Sequence, residues 1–294
     1  MFTYTSSQFQ EIVDFLLKEA KRRGASDAVA EVSEGQGLSV TVRKGEVETI
    51  EQSLDKQVGV TVFLGHHRGN ASTSDFSKAS LKATVDAAYH IAQHTAEDNC
   101  AGPAERDLLE KNPRDLDLFH PWNIDAAHAI EIARTAEGAA FSVSKQIQNS
   151  DGASVSAHHA HFMMGTSHGF MGGYPFSRHY ISCAPIASEG GKQSNMQRDD
   201  WYSSSRIPEE LAEPAAIGKY AAQRALSRLK ARSLTTRRCP VIFEAPLAAG
   251  LLGSLVQAVS GGALYRRSSF LLDSLGKQVL PKHISLYENP HLKS

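Results

Sequence analysis

Hydrophobic residues near the start of the chain repeat at the spacing of an α-helix. The repeat runs from about Ser7 to Arg23 and is followed by Gly24, a residue type that often ends helices because it readily adopts the left-handed conformation. Ser7 and Gln10 have the spacing of a capping box, in which each residue accepts a hydrogen bond from the backbone of the other. We therefore predict a helix that begins at about Ser7 and ends before Gly24.

Strand-like patterns follow this helix. Four segments alternate apolar and polar positions or are rich in β-branched residues, namely residues 28–33, 38–43, 46–52 and 58–64. Lys44 and Gly45 lie between the second and third segments, where a tight turn would join two antiparallel strands. The pattern predicts a β-meander with one face in solvent.

Two helices and a second group of strands are predicted in the middle of the chain. Ser77 and Asp125 each precede a helical repeat, and both are favourable N-cap residues. Residues 147–205 are rich in Ser, Gly, His and aromatic residues and show strand-like alternation. A helix is then expected from Pro208 to about Leu229.

In the remaining segment the pattern predicts a short strand at Pro240–Phe243 and a helix at Pro246–Ser260. The two glycines that follow are expected to end this helix. Because short turns rather than long helical crossovers join the earlier strands, we predict an α+β protein whose helices pack on an antiparallel sheet in an N-terminal domain, residues 1–233. Residues 234–294 are predicted to begin a second, mostly β and incomplete C-terminal domain.

The charges of the chain nearly cancel, with 31 Lys and Arg against 32 Asp and Glu. This balance argues against a nucleic-acid partner, because nucleic-acid binding needs a clustered basic surface. The run Ala245–Tyr265 lacks charge, but glycine and polar residues interrupt it, so it is interpreted as a buried helix and no membrane partner is expected.

The first residues of the chain lack the basic and apolar regions of a signal peptide, which favours a cytoplasmic location. Cys100, Cys183 and Cys239 are far apart and have no C-x-x-C spacing. They are therefore expected to be reduced thiols rather than disulfide partners or metal ligands.

Histidines are concentrated at His158, His159 and His161. In a strand, His159 and His161 would share a face and could present two imidazoles to zinc. No Asp or Glu lies between Asp151 and Glu189, so a carboxylate ligand or base would have to come from elsewhere. Metal binding by these histidines is the minor alternative.

The sequence contains none of the common catalytic or nucleotide-binding motifs. G-x-S-x-G, the P-loop, G-x-G-x-x-G and H-E-x-x-H are all missing.

Five segments carry a family resemblance, namely Ala71–Asp75, Asp115–Pro121, Thr166–Gly169, Tyr265–Pro281 and Glu288–Leu292. In these segments the chain resembles the PmbA (TldE) branch of the TldD/TldE metalloprotease family, and the resemblance covers essentially its whole length in the family's order. It also implies that the chain is C-terminally truncated, since family members continue further.

The resemblance implies a subunit of a cytoplasmic, heteromeric zinc metalloprotease. In that complex a TldD-type partner subunit carries an H-E-x-x-x-H motif and the zinc, and the substrates are small or unfolded peptides such as microcin precursors and antitoxins.

In this chain the six positions of the zinc motif fall on residues 253–258. Gly253 and Ala258 replace the two histidine ligands, and Ser254 replaces the catalytic glutamate. The resemblance therefore implies no catalytic or metal-binding residue and no cofactor in this chain, and we expect a non-catalytic subunit.

Within the family-signature segment, Tyr265, Arg266, Arg267 and Asp273 are predicted to form a surface for the partner or the substrate. An independent peptide-binding or chaperone-like module without a proteolytic partner is the alternative function. Both functions need a partly apolar groove, so the sequence does not separate them.

Overall fold

The computed structural model describes residues 2–190 and 195–293. Within these residues the helices are α1 (Ser6–Arg23), α2 (Lys78–His94), α3 (Ala126–Val143), α4 (Pro214–Ser227), α5 (Ala245–Val259) and α6 (Gly261–Tyr265). The strands are β1 (Asp27–Arg43), β2 (Glu46–Leu64), β3 (His67–Thr73), β4 (Ile147–Thr166), β5 (Met171–Gly172), β6 (Pro175–Ser188), β7 (Met196–Arg198) and β8 (Trp201–Ser205).

The strands form one antiparallel sheet, which in the described part of the chain has eight strands. Its order is β3-β2-β1-β4-β6-β7, with β5 paired to β4 and β8 paired to β6. Helices α1 to α4 pack on this sheet. The predicted α+β class and the antiparallel sheet are confirmed.

Helix α1 begins earlier than predicted. Thr5 is the N-cap, its side chain accepts a hydrogen bond from Gln8 N, and the Gln8 side chain accepts one from Thr5 N at 2.8 Å. The predicted start at about Ser7 is one residue late, and the predicted capping pair Ser7–Gln10 was wrong, because Thr5–Gln8 has the same spacing and spacing alone does not choose between them. The predicted helix end at Gly24 is confirmed, with φ of 98°.

The hairpin of β1 and β2 is longer than the sequence indicates. Each is one continuous strand where two segments were predicted, since the pairing continues through residues 34–37 of β1 and 53–57 of β2, where the apolar alternation is interrupted. The predicted turn at Lys44 and Gly45 is confirmed, with φ of 53° and 77°. Gly37 is required where it lies, because a Cβ there would be 2.2 Å from Cε1 of His158.

The helix predicted from Pro208 begins later. Pro208–Glu210 forms a single 3-10 turn, and α4 starts at Pro214. The prediction was wrong because Pro214 would fall inside a helix begun at Pro208, where it lacks the N–H that the helix needs. At the first position of α4 that missing N–H costs nothing.

Two hydrophobic cores lie between the helices and the sheet. Helices α1 and α2 cover the first core, which includes Phe9 and Leu16, and helices α3 and α4 cover the second, which includes Ile217. The α3–α4 contact is built of small side chains. Gly218 allows the closest approach, because a Cβ there would lie 1.8 Å from Ala136 O.

The chain divides into two compact units, and Arg232–Pro290 forms the second. Every residue of this segment is described, and its elements are α5 and α6. The strand predicted at Pro240–Phe243 is not found, and neither is the β character predicted for this region. Those apolar residues have no neighbouring strand in the segment to pair with. The domain division predicted at Ser233 stays a prediction, since compactness alone does not show independent folding.

The two glycines after α5 do not end the helical region as predicted. Ser260 ends α5 and also caps α6, where its side chain accepts a hydrogen bond from Ala263 N. None of the helices in the described ranges is long and apolar enough to cross a lipid bilayer.

Candidate functional site

Helix α5 carries the three positions that the family resemblance aligns with a zinc motif. Ser254 Oγ donates a hydrogen bond to Gly250 O at 3.0 Å, so the hydroxyl is used within the helix. A Cβ at Gly253 would contact nothing within 4 Å. Ala258 is buried, and its carbonyl accepts a hydrogen bond from Ser269 Oγ at 2.6 Å. Helix α5 contains no Asp, Glu, His or Cys, so it offers no zinc ligand.

Tyr265, Arg266, Arg267 and Asp273, the residues of the predicted surface, come after α5 in the chain. Tyr265 ends α6 and is 65% exposed, and Arg266 and Arg267 are also exposed. Arg267 and Asp273 have φ of 53° and 58°, a conformation that non-glycine residues adopt at a cost. Ser268 Oγ donates to Ala263 O at 3.3 Å and holds the turn against α6. The segment consists mainly of turns and exposes both the two arginines and the apolar side chain of Phe270 to solvent.

The histidine cluster is divided between the two faces of the sheet. His158 is exposed and covers Gly37 on the outer face, whereas His159 and His161 share the face that carries the helices, as predicted for the last two. Among the described residues, no group of three His, Cys, Asp or Glu side chains is arranged to hold a metal ion. The structure therefore does not bring the three predicted histidines together.

A belt of polar side chains crosses the helix face of the sheet between the two cores. Its members, called the polar belt below, are Glu34 and Gln36 on β1, His159 and His161 on β4, and Ser177 and His179 on β6.

Glu34 and His161 form a buried, directly contacting pair within the polar belt. His161 Nε2 lies 2.9 Å from Glu34 Oε1, and the same oxygen accepts a hydrogen bond from Tyr4 N at 2.8 Å. The His161 ring lies between Phe2 and Phe9, with centroids 4.0 and 4.3 Å away. The pair therefore fixes the residues that precede α1 against the sheet.

The β6 end of the polar belt fixes the connector before α3. His179 Nε2 donates to His120 O at 2.8 Å, and Ser177 Oγ accepts from His120 N at 2.8 Å. His179 Nδ1 is buried without a partner in the described residues. Burial lowers the pKa of His179 and of His159, because a charged imidazole loses solvation there.

The Thr166–Gly169 segment gathers Ser167 and His168 around Asp27. Asp27 Oδ1 accepts a hydrogen bond from Ser167 Oγ at 2.8 Å and lies 3.0 Å from His168 Nε2. His168 Nδ1 lies 2.7 Å from Ala104 O. Because Ser167 Oγ donates to Asp27 and the two ring nitrogens of His168 contact Asp27 and Ala104 O, the hydroxyl has no hydrogen bond to the imidazole and the three residues do not form a nucleophilic triad. A cavity of about 400 Å³ adjoins His168.

Sequence reasoning missed Glu34 and Glu137 as buried carboxylates. Alternate residues of β1 from Ala28 to Val42 face the helices, and all are apolar except Glu34 and Gln36. That interruption of an apolar stripe is the signal that could have identified the polar belt. Glu137 lies among alanines on α3 and gives no such signal in the sequence, because its partners are backbone amides.

Solved structures from several organisms resemble the chain. A Bacteroides thetaiotaomicron protein described as a candidate modulator of DNA gyrase aligns with a TM-score of 0.88 at 20% identity, over 97% of this chain and 64% of that one. A similarly described Thermotoga maritima protein gives 0.75 at 18% identity, over 92% and 60%. TldE from Thermococcus kodakarensis gives 0.64 at 13% identity, over 90% and 58%. At these identities the likeness shows the fold.

Curated relatives are more similar in sequence. Metalloprotease PmbA of Escherichia coli O157:H7 is 43% identical over 283 residues, which are 96% of this chain and 62% of the relative. The Haemophilus influenzae metalloprotease PmbA homolog is 42% identical over 285 residues, 97% of this chain and 62% of the relative. The chain therefore spans less than two thirds of the length of these relatives.

Family models agree with the relatives. PmbA/TldA metallopeptidase domain 1 matches residues 28–92, the central domain matches residues 119–229, and the C-terminal domain matches residues 236–294. With three consecutive domain matches and relatives above 40% identity across nearly all of its length, the chain belongs to the PmbA/TldD metallopeptidase family.

Proposed function

We propose that this chain is the non-catalytic subunit of a cytoplasmic TldD/TldE-type zinc metalloprotease that degrades or matures small or unfolded peptides. The observation that carries the proposal is the chemistry of α5. At the positions aligned with the zinc motif it has Gly253, Ser254 and Ala258. These side chains provide neither an imidazole nor a carboxylate, so they cannot hold Zn²⁺ or activate its water.

The surroundings of these three positions also do not fit a metal. The Ser254 hydroxyl donates to Gly250 O, and Ala258 is buried with only a methyl side chain. Gly253 and Ser254 are exposed, and a Cβ at Gly253 would meet no atom within 4 Å. Zinc is therefore assigned to a TldD-type partner subunit, and no catalytic step is assigned to this chain.

Family membership supports the proposal that this chain acts together with a peptidase. The curated relatives are described as metalloproteases, and TldE of Thermococcus kodakarensis shares the fold. In the cytoplasm Cys100, Cys183 and Cys239 would stay reduced, and none of them forms a disulfide in this structure.

Zinc content and peptide cleavage test the proposal together. The pure chain, the chain with a TldD-type partner, and the chain with a partner whose zinc-binding histidines are replaced by alanine are compared by elemental analysis and by cleavage of an unfolded peptide. We expect zinc and chelator-sensitive cleavage only in the sample with the intact partner. The sample with the altered partner controls for a contaminating peptidase.

Two outcomes contradict the proposal in different ways. About one zinc per chain with cleavage by the pure protein would show a metalloenzyme in its own right. Failure to co-purify with any TldD-type chain, together with binding of unfolded peptide by the chain alone, would instead favour the independent peptide-binding or chaperone-like module.

A further inference from the structure

Within the residues that the structure describes, strand β2 has a long edge with no neighbouring strand. Strand β3 pairs with β2 only between Val58 and Leu64, whereas β1 pairs with it from Glu46 to Phe63. Residues 46–57 therefore have β1 on one side and, within the described chain, no strand on the other. These residues are called the β2 edge below.

Backbone groups at alternate positions of the β2 edge point outward. Phe63 O accepts a hydrogen bond from Ser26 N on the β1 side, and Val60 O is approached by Asn70 Nδ2 from the β3 side. The pairing of β1 with β2 shifts register between Thr41 and Val42, opposite Val47 and Thr49. Because the direction of the backbone N–H and C=O groups alternates along a strand, the groups of even-numbered residues from Ile50 onward point away from β1. The outward residues of the β2 edge are Ile50, Gln52, Leu54 and Lys56.

The two faces of the β2 edge differ in chemistry. The face that carries the helices exposes the apolar residues Val47, Ile50 and Leu54, which are 39%, 51% and 66% exposed. The opposite face carries Glu51 and Asp55, which have no salt-bridge partner in the described ranges. The helix face of the edge thus exposes three apolar side chains beside Gln52 and Lys56, and the opposite face exposes two acidic ones.

Charges and a β-bulge are common devices that protect an edge from association, and a register shift does occur beside Val42. These protective devices do not account for the three large apolar side chains that are exposed on one face of the edge. Pairing with an extended chain would cover those side chains and would also satisfy the outward backbone groups.

We propose that the β2 edge is a docking site for an extended peptide segment that adds an antiparallel or parallel strand to the sheet. The segment that fits alternates apolar residues, which would cover Val47, Ile50 and Leu54, with Lys or Arg residues, which would face Glu51 and Asp55. The β2 edge shares no residue with α5, so the docking site and the zinc assignment can fail separately.

Hydrogen exchange and binding measurements test the proposal. The probe is a short synthetic peptide in which Val alternates with Lys, and the control peptide alternates Val with Glu. We expect the Lys peptide to slow amide exchange at Ile50, Gln52, Leu54 and Lys56, and the Glu peptide to have no effect. Added salt should weaken binding, because exposed charges are screened.

Gln52→Pro and Gln52→Ala form a matched pair of variants. Proline removes an outward N–H without removing a bond to β1, so it should weaken peptide binding about fivefold, whereas alanine should leave binding nearly unchanged. Should the proline variant fold poorly, Glu51→Lys combined with Asp55→Lys alters only exposed side chains and should abolish the preference for the Lys peptide.

Several results would overturn the proposal. Equal binding by both Gln52 variants would show that the strand edge is not used. An unchanged peptide preference after reversal of the two acidic charges would remove the proposed complementarity. Protection of the same amides that rises with protein concentration, with dimers in sedimentation, would identify a second copy as the occupant instead of a peptide.

Discussion

Replacing Glu137 by Gln should destabilise the first unit, because this carboxylate fixes the turn between β1 and β2. Glu137 lies on α3 and is 2% exposed. Its Oε1 accepts a hydrogen bond from Lys44 N at 2.9 Å and its Oε2 accepts one from Gly45 N at 2.8 Å. Both oxygens must be acceptors, and a glutamine has only one. Its amide group would meet an N–H donor at the second position.

The expected loss follows from these two contacts. A hydrogen bond to a charged group contributes about 1.5–3 kcal/mol, and the substitution removes one such bond while it weakens the other to a neutral bond. We expect the free energy of unfolding to fall by about 2–3 kcal/mol, which for a unit of this size corresponds to a decrease in Tm of roughly 5–10 °C.

Urea unfolding followed by circular dichroism would measure the change, with Glu131→Gln as the matched control. Glu131 is on the same helix, but it is exposed and paired with Arg134 at the surface, so its replacement should cost less than about 0.5 kcal/mol. Amide exchange at Lys44 and Gly45 should accelerate only in Glu137→Gln. A variant within about 0.5 kcal/mol of the wild type would refute the reasoning.

Two further predictions concern packing and thiol chemistry. Gly218→Ala should destabilise the chain by about 1–3 kcal/mol in thermal unfolding, because its Cβ would lie 1.8 Å from a backbone oxygen of α3. Gly138→Ala, with no atom within 4 Å of the new Cβ, should instead stabilise α3 by about 0.5–1 kcal/mol, and equal effects would contradict the proposed close approach. Burial raises the pKa of the Cys183 thiol to about 12, so at pH 8 a thiol reagent should modify the exposed Cys100 and Cys239 in the native protein and Cys183 only after unfolding. Mass spectrometry of labelled peptides would show this, and rapid native labelling of Cys183 would contradict it.

Local signals in the sequence predicted the elements whose ends are set by local chemistry. The turn at Lys44 and Gly45, the caps at Ser77 and Asp125 and the helix end at Gly24 all appear in the structure. Each depends on one or two neighbouring residues, which sequence reasoning can evaluate.

Errors arose where distant parts of the chain decide the outcome. Gly35 and Gly37 remain within a continuous strand because β2 and β4 pair on both sides of β1, and Gly37 also makes room for His158. Pro240–Phe243 has strand-like composition but no strand beside it in its own unit. The burial of Glu34 depends on His161, which is far away in sequence. These facts require the tertiary structure.

The polar belt has a consequence for cooperativity. It separates the core under α1 and α2 from the core under α3 and α4, and each helix pair packs mainly on its own part of the sheet. Burial of apolar surface is therefore not continuous across the first unit, and the two halves are joined chiefly through the long strands β1 and β4. Sub-global opening of one helix pair can leave the other core closed. Native-state exchange would then give two separate opening free energies, one for each core, within a single sheet.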